Sequence, residues 1–207
     1  MHLRSRFWLT RMLALLPILA VASTGRAATE EKATMSDQTP TSATTTTGAA
    51  AATTPHDGAR DFDFIFGRWK VHNRRLVDRL VGSHEWKEFE ATVEGGPCLD
   101  GRGNVDEYRT DFWPGFVGMT VRVFDPKAHQ WAIYWADNRS GVLDSGVFGS
   151  FDGDVGTFGG KDVLRGRTVL TRYTWRRGAA PHWEQAFSGD GGVTWETNWT
   201  MDMTRIP

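Results

Sequence analysis

The chain of 207 residues is poor in cysteine: Cys98 is the only one, so no disulfide can form within the chain and packing must supply its stability. It also lacks an excess of either charge, because 24 basic residues face 25 acidic ones and the formal net charge is −1. Nucleic-acid binders usually carry a basic patch or stripe, so we predict no nucleic-acid partner. The histidines at positions 72, 84, 129 and 182 lack a metal-site spacing such as His-x-x-x-His, and we predict neither a metal nor a cofactor.

The apolar run from Met12 to Val21 is too short to span a bilayer comfortably, which takes roughly 20 residues. Arginines at positions 4, 6 and 11 make a positive start, and small-x-small cleavage sites lie at Ala20-Val21-Ala22 and Gly25-Arg26-Ala27. This arrangement predicts a signal peptide over residues 1–28, a secreted or periplasmic protein, and no stable membrane insertion after cleavage. Two alternatives stay open: an uncleaved anchor, or a translation start at Met35 that would leave the protein in the cytoplasm.

Residues 29–60 have no apolar pattern, and the stretch from Thr41 to Thr54 is almost wholly threonine and alanine. Such a composition cannot bury enough surface to fold, so it predicts a disordered linker. Residues 61–207 then form one domain, which is large enough to bury roughly 70% of its unfolded surface.

Within that domain, short runs of alternating apolar and polar residues follow one another between turn signals, and no amphipathic run competes as a helix. The runs cover approximately residues 69–78, 86–94, 103–111, 117–124, 130–136, 142–151, 155–158, 168–176, 182–188 and 195–204. Turns such as Asp152-Gly153-Asp154 make neighbouring strands antiparallel, and closure removes the exposed edges. We predict an all-β fold: a closed, antiparallel, up-and-down barrel of about ten strands, with a short N-terminal cap at residues 61–66.

Alternation also predicts which side chains face the barrel interior. The predicted inward sets are Val117, Met119, Val121 and Val123; Trp131, Ile133 and Trp135; Val169, Thr171, Tyr173 and Trp175; Trp183, Gln185 and Phe187; and Trp195, Thr197, Trp199, Met201 and Met203. The third run stays ambiguous, with Val105, Glu107 and Arg109 on one face and Asn104, Asp106 and Tyr108 on the other.

Gly67-Arg68-Trp69 opens the first strand and Arg205 follows the last, so pairing of these strands would place Arg205 on the Trp69 ring as a cation–π contact. In this the chain resembles the lipocalin-type (calycin) barrels. The segments 131–137, 183–188 and 190–199 look like a bacterial lipocalin-like family of uncharacterised function, over about residues 61–205. The resemblance implies a lipocalin-like barrel with a central cavity and no agreed catalytic residues. Residues 188–195 also match the Asp-box hairpin of sialidases, where we expect a structural role.

An apolar wall with sparse polar groups is typical of a small-molecule site, and ten strands enclose more space than eight. We predict an exported protein that binds a small hydrophobic or aromatic ligand through Tyr108, Trp131, Trp135, Tyr173, Trp175, Trp183, Gln185 and Trp199. Other polar points would be Thr171, Thr197 and either Asn73 or Arg75.

Three alternatives to this binding role stay open. One is an isomerase, cyclase or hydratase that uses whichever of Asp106 and Glu107 enters the cavity. The second is haem binding through His72 or His182, as in nitrobindin-like barrels. The third is a structural or partner-binding role.

Overall fold

The computed structural model describes residues 57–207, which form an all-β structure around one closed barrel of ten antiparallel strands. After a 3-10 turn at Asp63–Ile65, the strands are β1 Gly67–Leu76, β2 Trp86–Cys98, β3 Gly103–Thr110, β4 Phe116–Asp125, β5 Gln130–Asp137, β6 Val147–Asp152, β7 Val155–Leu164, β8 Arg167–Arg176, β9 His182–Ser188 and β10 Glu196–Arg205. A second 3-10 turn, Leu99–Gly101, joins β2 to β3. Each strand pairs with the next, and β10 pairs with β1. The predicted fold class is therefore confirmed.

The predicted signal peptide lies outside the described residues, as does the predicted linker up to residue 56. Within residues 57–207, no helix has the length and hydropathy that a membrane span requires.

The first and last strands close the barrel through the predicted contact between Trp69 and Arg205. These residues face each other in the β1–β10 register, and the guanidinium carbon lies 4.2 Å from the centre of the indole ring. Arg205 Nη1 also donates a hydrogen bond of 3.0 Å to the carbonyl of Phe66, and Trp69 Nε1 donates one of 2.7 Å to the carbonyl of Ile65. The N-terminal cap and the last strand, β10, are thus both bound to the start of β1.

The N-terminal cap closes one end of the barrel, as the sequence predicts. Phe62 is fully buried, and its ring meets Trp131 and Phe151 edge to face at centroid distances of 5.1 and 5.0 Å. These rings form the floor of the interior. The hairpin loops β1–β2, β3–β4, β5–β6, β7–β8 and β9–β10 surround the other end, which we call the mouth.

The predicted inward face of β4 is wrong. Thr120, Arg122 and Phe124 are buried inside the barrel, whereas Met119 is 39% exposed and Val121 and Val123 lie half-buried on the outer face. Arg122 can face inward because it forms a buried ion pair with Asp106 of β3. On β3, Asn104, Asp106 and Tyr108 are likewise the inward residues, and this resolves the ambiguous strand.

Trp195 does not face the interior, contrary to the sequence prediction, because β10 begins one residue later. Its Nε1 donates to the carbonyl of Gly192, and Arg172 from the outer face of β8 lies 4.4 Å from its ring centre. A register shift between Thr197 and Trp199 then turns Asn198, predicted outward, into a fully buried residue, while Thr197 is half-buried.

Several strand boundaries also differ from the predicted runs: β2 extends to Cys98, and the largest differences are in the sixth and seventh strands. The sixth strand begins at Val147, because residues 142–146 belong to the loop that follows β5. The seventh extends to Leu164, since Gly159 and Gly160 stay in the ladder with β6 and β8. A Cβ atom at Gly160 would stand 2.5 Å from the carbonyl oxygen of Gly146, so glycine permits a close approach of the two backbones here.

Candidate functional site

The barrel encloses a cavity of about 450 Å³ between the floor and the mouth. Its deep part reaches Ile65 and Arg122, and its outer part is bounded by the β5–β6 loop and by Lys161 and Asp162 of β7. A volume of this size lies in the range of small-molecule sites.

All of the predicted ligand-contacting residues except Trp131 line this cavity: Tyr108, Trp135, Tyr173, Trp175, Trp183, Gln185 and Trp199. Trp131 is instead packed in the floor between Phe62 and Phe124, and its Nε1 donates to the carbonyl of Gly58. The sequence could not separate Trp131 from Trp135, because both lie on the same face of β5 and differ only in depth.

The aromatic wall is braced by edge-to-face contacts. The Trp183 ring stands 5.0 Å from Tyr173 and 5.9 Å from Trp199, with interplanar angles of 65° and 79°. Such geometry suits the ring quadrupoles and holds each ring in one orientation. The cavity is therefore shaped by contacts that exist before any ligand enters.

A buried amide connects two of these wall residues. The side-chain oxygen of Asn73 accepts hydrogen bonds of 3.0 Å from the Tyr108 hydroxyl and from Trp199 Nε1. Burial raises the pKa of Tyr108, so its hydroxyl stays protonated and keeps donating to Asn73. Burial lowers the pKa of Arg75 to about 10, and its guanidinium lies 5.0 Å from the Trp199 ring centre and 5.2 Å from that of Trp113. Asn73 and Arg75 thus both support the wall.

A buried ion pair lies at the deep end of the cavity. Arg122 Nη1 donates to Asp106 Oδ2 and, over 2.9 Å, to Asn104 Oδ1. The guanidinium also lies over the rings of Phe62 and Trp175, at 5.1 and 5.6 Å from their centres. Of the neighbouring carboxylates Asp106 and Glu107, Asp106 is therefore the one that faces the cavity. Glu107 lies on the outer face beside Arg109, as expected for neighbouring residues of a strand.

The remaining polar wall residues come from β8 and β9. Gln185 Nε2 donates a 2.7 Å hydrogen bond to Asn198, which holds the amide group in place. The hydroxyl of Thr171 is buried and has no hydrogen-bond partner within residues 57–207. Thr197, predicted as a polar point, is not part of the cavity wall.

The mouth combines carboxylates with exposed aliphatic side chains. Asp144 Oδ1 accepts hydrogen bonds from the backbone N–H groups of Trp135 and Gly146, and burial, helped by the charge of Asp162, raises its pKa. Burial and these same two carboxylates raise the pKa of Tyr173, so its hydroxyl is neutral. Val142 and Leu143, 67% and 55% exposed, border the opening on the same loop.

Neither histidine considered for haem binding faces the cavity. His72 is on the outer face of β1, with Nδ1 2.9 Å from Glu90, and His182 is on the outer face of β9, with Nδ1 2.7 Å from Asp202. Within the part of the chain that the structure describes, no group of three or more His, Cys, Asp or Glu side chains is placed to hold a metal ion.

Sequence reasoning missed three parts of the site. It placed Arg122 on the outer face, it placed the loop residues Val142 and Leu143 in a strand, and it did not single out the carboxylates of Asp144 and Asp162 at the mouth.

Comparison of the sequence with protein-family models and with curated proteins finds no match to either. The closed antiparallel barrel, with Trp69 and Arg205 stacked where its ends meet, is consistent with a calycin-type fold.

Proposed function

We propose that this protein binds one small hydrophobic or aromatic molecule inside its barrel, in the manner of the lipocalin-like proteins that its sequence resembles. The observation that carries the proposal is the cavity of about 450 Å³ with aromatic walls. Transfer of apolar ligand surface into such a site contributes about 25 cal/mol per Å², before the entropic costs of association are subtracted.

The bracing of the wall supports the same proposal. Trp183 and Trp199 pack edge to face, and Trp199 also donates to the Asn73 amide, so little conformational freedom is lost when a ligand enters. Preorganised walls favour binding because the ordering of side chains does not have to be driven by the ligand. The exposed Val142 and Leu143 at the mouth offer an apolar path toward the interior.

The alternative of an isomerase, cyclase or hydratase finds less support in the geometry. In the form predicted from the sequence, it needs Asp106 or Glu107 to be free to exchange a proton with a substrate in the cavity. Asp106 is the carboxylate on the interior face of β3, but its charge is engaged by Arg122. A binding role uses the aromatic wall and requires no such free group.

We also propose that the protein is exported, on the strength of the signal-like features in residues 1–28. The test is cell fractionation of the source organism followed by mass spectrometry of the purified protein. A mature N-terminus after Ala22 or Ala27 in a secreted or periplasmic fraction supports export. Full-length protein with an intact Met1 in the cytoplasm contradicts it.

The binding proposal is tested by titration with N-phenyl-1-naphthylamine, an uncharged probe whose fluorescence rises in apolar surroundings. Met201→Trp on β10 would fill part of the cavity and should weaken binding about tenfold or more, because the lost space excludes the probe. Met119→Trp makes the same change on the outer face of β4 and should leave the affinity unchanged. Equal affinities in all three proteins would place the probe elsewhere and contradict the proposal.

A further inference from the structure

Arg122 lines the deep end of the cavity, and it and its neighbour Asn104 each carry a hydrogen-bond donor without an acceptor in the described part of the chain. Arg122 is 4% exposed and Asn104 is 2% exposed. Arg122 Nε and Asn104 Nδ2 both lack a partner within residues 57–207. Buried polar atoms are nearly always hydrogen-bonded in native proteins. Of these two residues Arg122 lines the cavity, so an unsatisfied donor on its guanidinium indicates an acceptor on the ligand.

The charge at this point restricts what the acceptor can be. The positive charge of Arg122 is already balanced by Asp106, which accepts from Nη1. A ligand carboxylate would bring a second negative charge beside Asp106 into a poorly solvated site, where an unbalanced charge is strongly unfavourable. A ligand ammonium group would face the guanidinium and could not accept a hydrogen bond. The acceptor that fits is uncharged.

Apolar side chains also lie around the guanidinium. Phe62 and Trp175 lie against it, and Ile65 and Val93 line the same deep part of the cavity. An acceptor that reaches Arg122 must therefore be carried on an apolar body that fills the space between these rings. This describes a molecule with a hydrophobic frame and an oxygen atom at its inner end.

We infer that the ligand is an apolar molecule with an uncharged hydrogen-bond acceptor, a carbonyl or ether oxygen, and that Arg122 receives this oxygen at the floor of the cavity. The inference rests on the proposed binding function and names the class of ligand for that site. Arg122 then has two roles, since one nitrogen neutralises Asp106 and another selects the ligand.

The experiment compares three probes of nearly the same shape by displacement of N-phenyl-1-naphthylamine. They are 2-acetylnaphthalene, which carries a ketone, 2-isopropenylnaphthalene, which replaces the ketone oxygen by a CH₂ group, and 2-naphthoate, which carries a carboxylate. We expect the ketone to bind about tenfold more tightly than the alkene, because a hydrogen bond to a charged donor is gained. We expect the carboxylate to bind at least about tenfold more weakly than the ketone.

The variant Arg122→Lys tests where the preference arises. Lysine keeps the positive charge beside Asp106 but has no Nε donor in the guanidinium position. In this variant the ketone and the alkene should bind with equal affinity, so that the roughly tenfold preference is lost. The matched control is Arg109→Lys, which alters an arginine paired with Glu107 on the outer face of β3 and should keep the preference. Circular dichroism and thermal unfolding verify that each variant folds.

Several outcomes would overturn the inference. Equal affinities for the ketone and the alkene in the unmodified protein show that no acceptor is recognised, even if Arg122→Lys cannot be folded. Tighter binding of 2-naphthoate shows a charged ligand. Loss of the preference in Thr171→Val, but not in Arg122→Lys, moves the anchor from the floor to the unpartnered hydroxyl on β8. Binding of the alkene alone would leave the proposed function standing, whereas failure of every probe, including N-phenyl-1-naphthylamine, rejects both.

Discussion

Arg205 shows how one side chain at the end of the chain completes the barrel. Its guanidinium covers the Trp69 ring and donates to the Phe66 carbonyl, so it connects the last strand, the first strand and the cap. An exposed cation–π contact contributes about 0.5–1 kcal/mol and a hydrogen bond contributes about 1 kcal/mol. Both contacts are lost together when the side chain is removed.

We expect Arg205→Ala to lower the free energy of unfolding by about 1–2 kcal/mol, measured by urea denaturation. The control is Arg68→Ala, which removes an exposed arginine 3.4 Å from Glu94 on the same pair of strands as Trp69. Such a surface change should alter stability by no more than about 0.5 kcal/mol. Equal effects of the two substitutions would show that the ring contact contributes nothing beyond an ordinary surface charge.

The contact between Trp69 and Arg205 could be predicted from sequence, because both residues lie in the segments that must pair if the barrel closes. The burial of Arg122 could not. Its partner Asp106 is 16 residues away, and the two side chains meet only if the β3–β4 register and the inward face of both strands are known. Alternating valines on β4 pointed to the wrong face, since β-branched residues also suit a half-buried outer surface.

At the scale of elements, the turn between β9 and β10 is a self-contained structure. Hydrogen bonds from the Thr194 hydroxyl, the backbone N–H groups of Thr194 and Val193, and the Ser188 hydroxyl all end on the Asp190 carboxylate. They hold the pKa of Asp190 well below its usual range. A carboxylate with a lowered pKa stabilises the folded state above its ordinary pKa, and this contribution disappears as the pH falls toward the lowered value.

We therefore expect Asp190→Asn to reduce stability at neutral pH, because the amide cannot accept all of these bonds. The difference from the unmodified protein should stay constant down to about pH 5 and shrink from about pH 4 downward. Urea unfolding curves at a series of pH values measure it. The matched control for the loss of one surface charge is Asp154→Asn, which removes an exposed carboxylate from the turn between β6 and β7. A difference that grows in acid would contradict the expected sign.

The packing of β4 against β5 requires a glycine at position 118. A Cβ atom at Gly118 would clash with the Trp135 ring, which lines the cavity. We expect Gly118→Ala to push the indole away, to destabilise the protein by about 1–3 kcal/mol, and to weaken probe binding.

The matched control for Gly118→Ala is Gly159→Ala on β7, where a Cβ atom meets nothing within 4 Å. Alanine there should be neutral or stabilise the protein by up to about 1 kcal/mol. Thermal unfolding and probe titration of both variants decide the point. Unchanged binding in Gly118→Ala would mean that the Trp135 ring does not shape the cavity.

Most strand positions could be predicted, because period-two alternation and tight turns such as Asp152-Gly153-Asp154 leave a local mark on the sequence. The β5–β6 loop could not. Val142 and Leu143 look like part of a strand, and only the divergence of β5 from β6 near the mouth turns them into a loop. The sequence also does not show how deep in the barrel a residue lies. Trp131 and Trp135 share one face of β5, but Trp131 closes the floor and Trp135 lines the cavity.

At the scale of the whole molecule, a ligand inside the barrel should stabilise the fold, because the cavity exists only when the ring of strands is closed. With N-phenyl-1-naphthylamine at 100 times its dissociation constant, we expect the free energy of unfolding to rise by about 2.7 kcal/mol. At the same probe concentration, a tenfold weaker Met201→Trp variant should gain about half of that. Chemical denaturation with and without probe measures the gain, which should be insensitive to salt because the probe is uncharged.

The pairing of β5 with β6 has a kinetic consequence. These strands join through Trp131–Gly149, Ala132–Phe148 and Ile133–Val147, whereas β7 and β8 pair from Val155–Arg176 to Leu164–Arg167. A short ladder separates more easily than a long one, so the β5–β6 ladder, which we call the seam, should be the first part of the barrel to open locally. The amide protons of the seam should therefore exchange with deuterium faster than those of the β7–β8 ladder. Because β5 and β6 already diverge between this seam and the mouth, opening of the seam would extend that gap toward the floor while the other ladders hold. The residence time of a ligand inside the barrel would then depend on how often the few hydrogen bonds between β5 and β6 break.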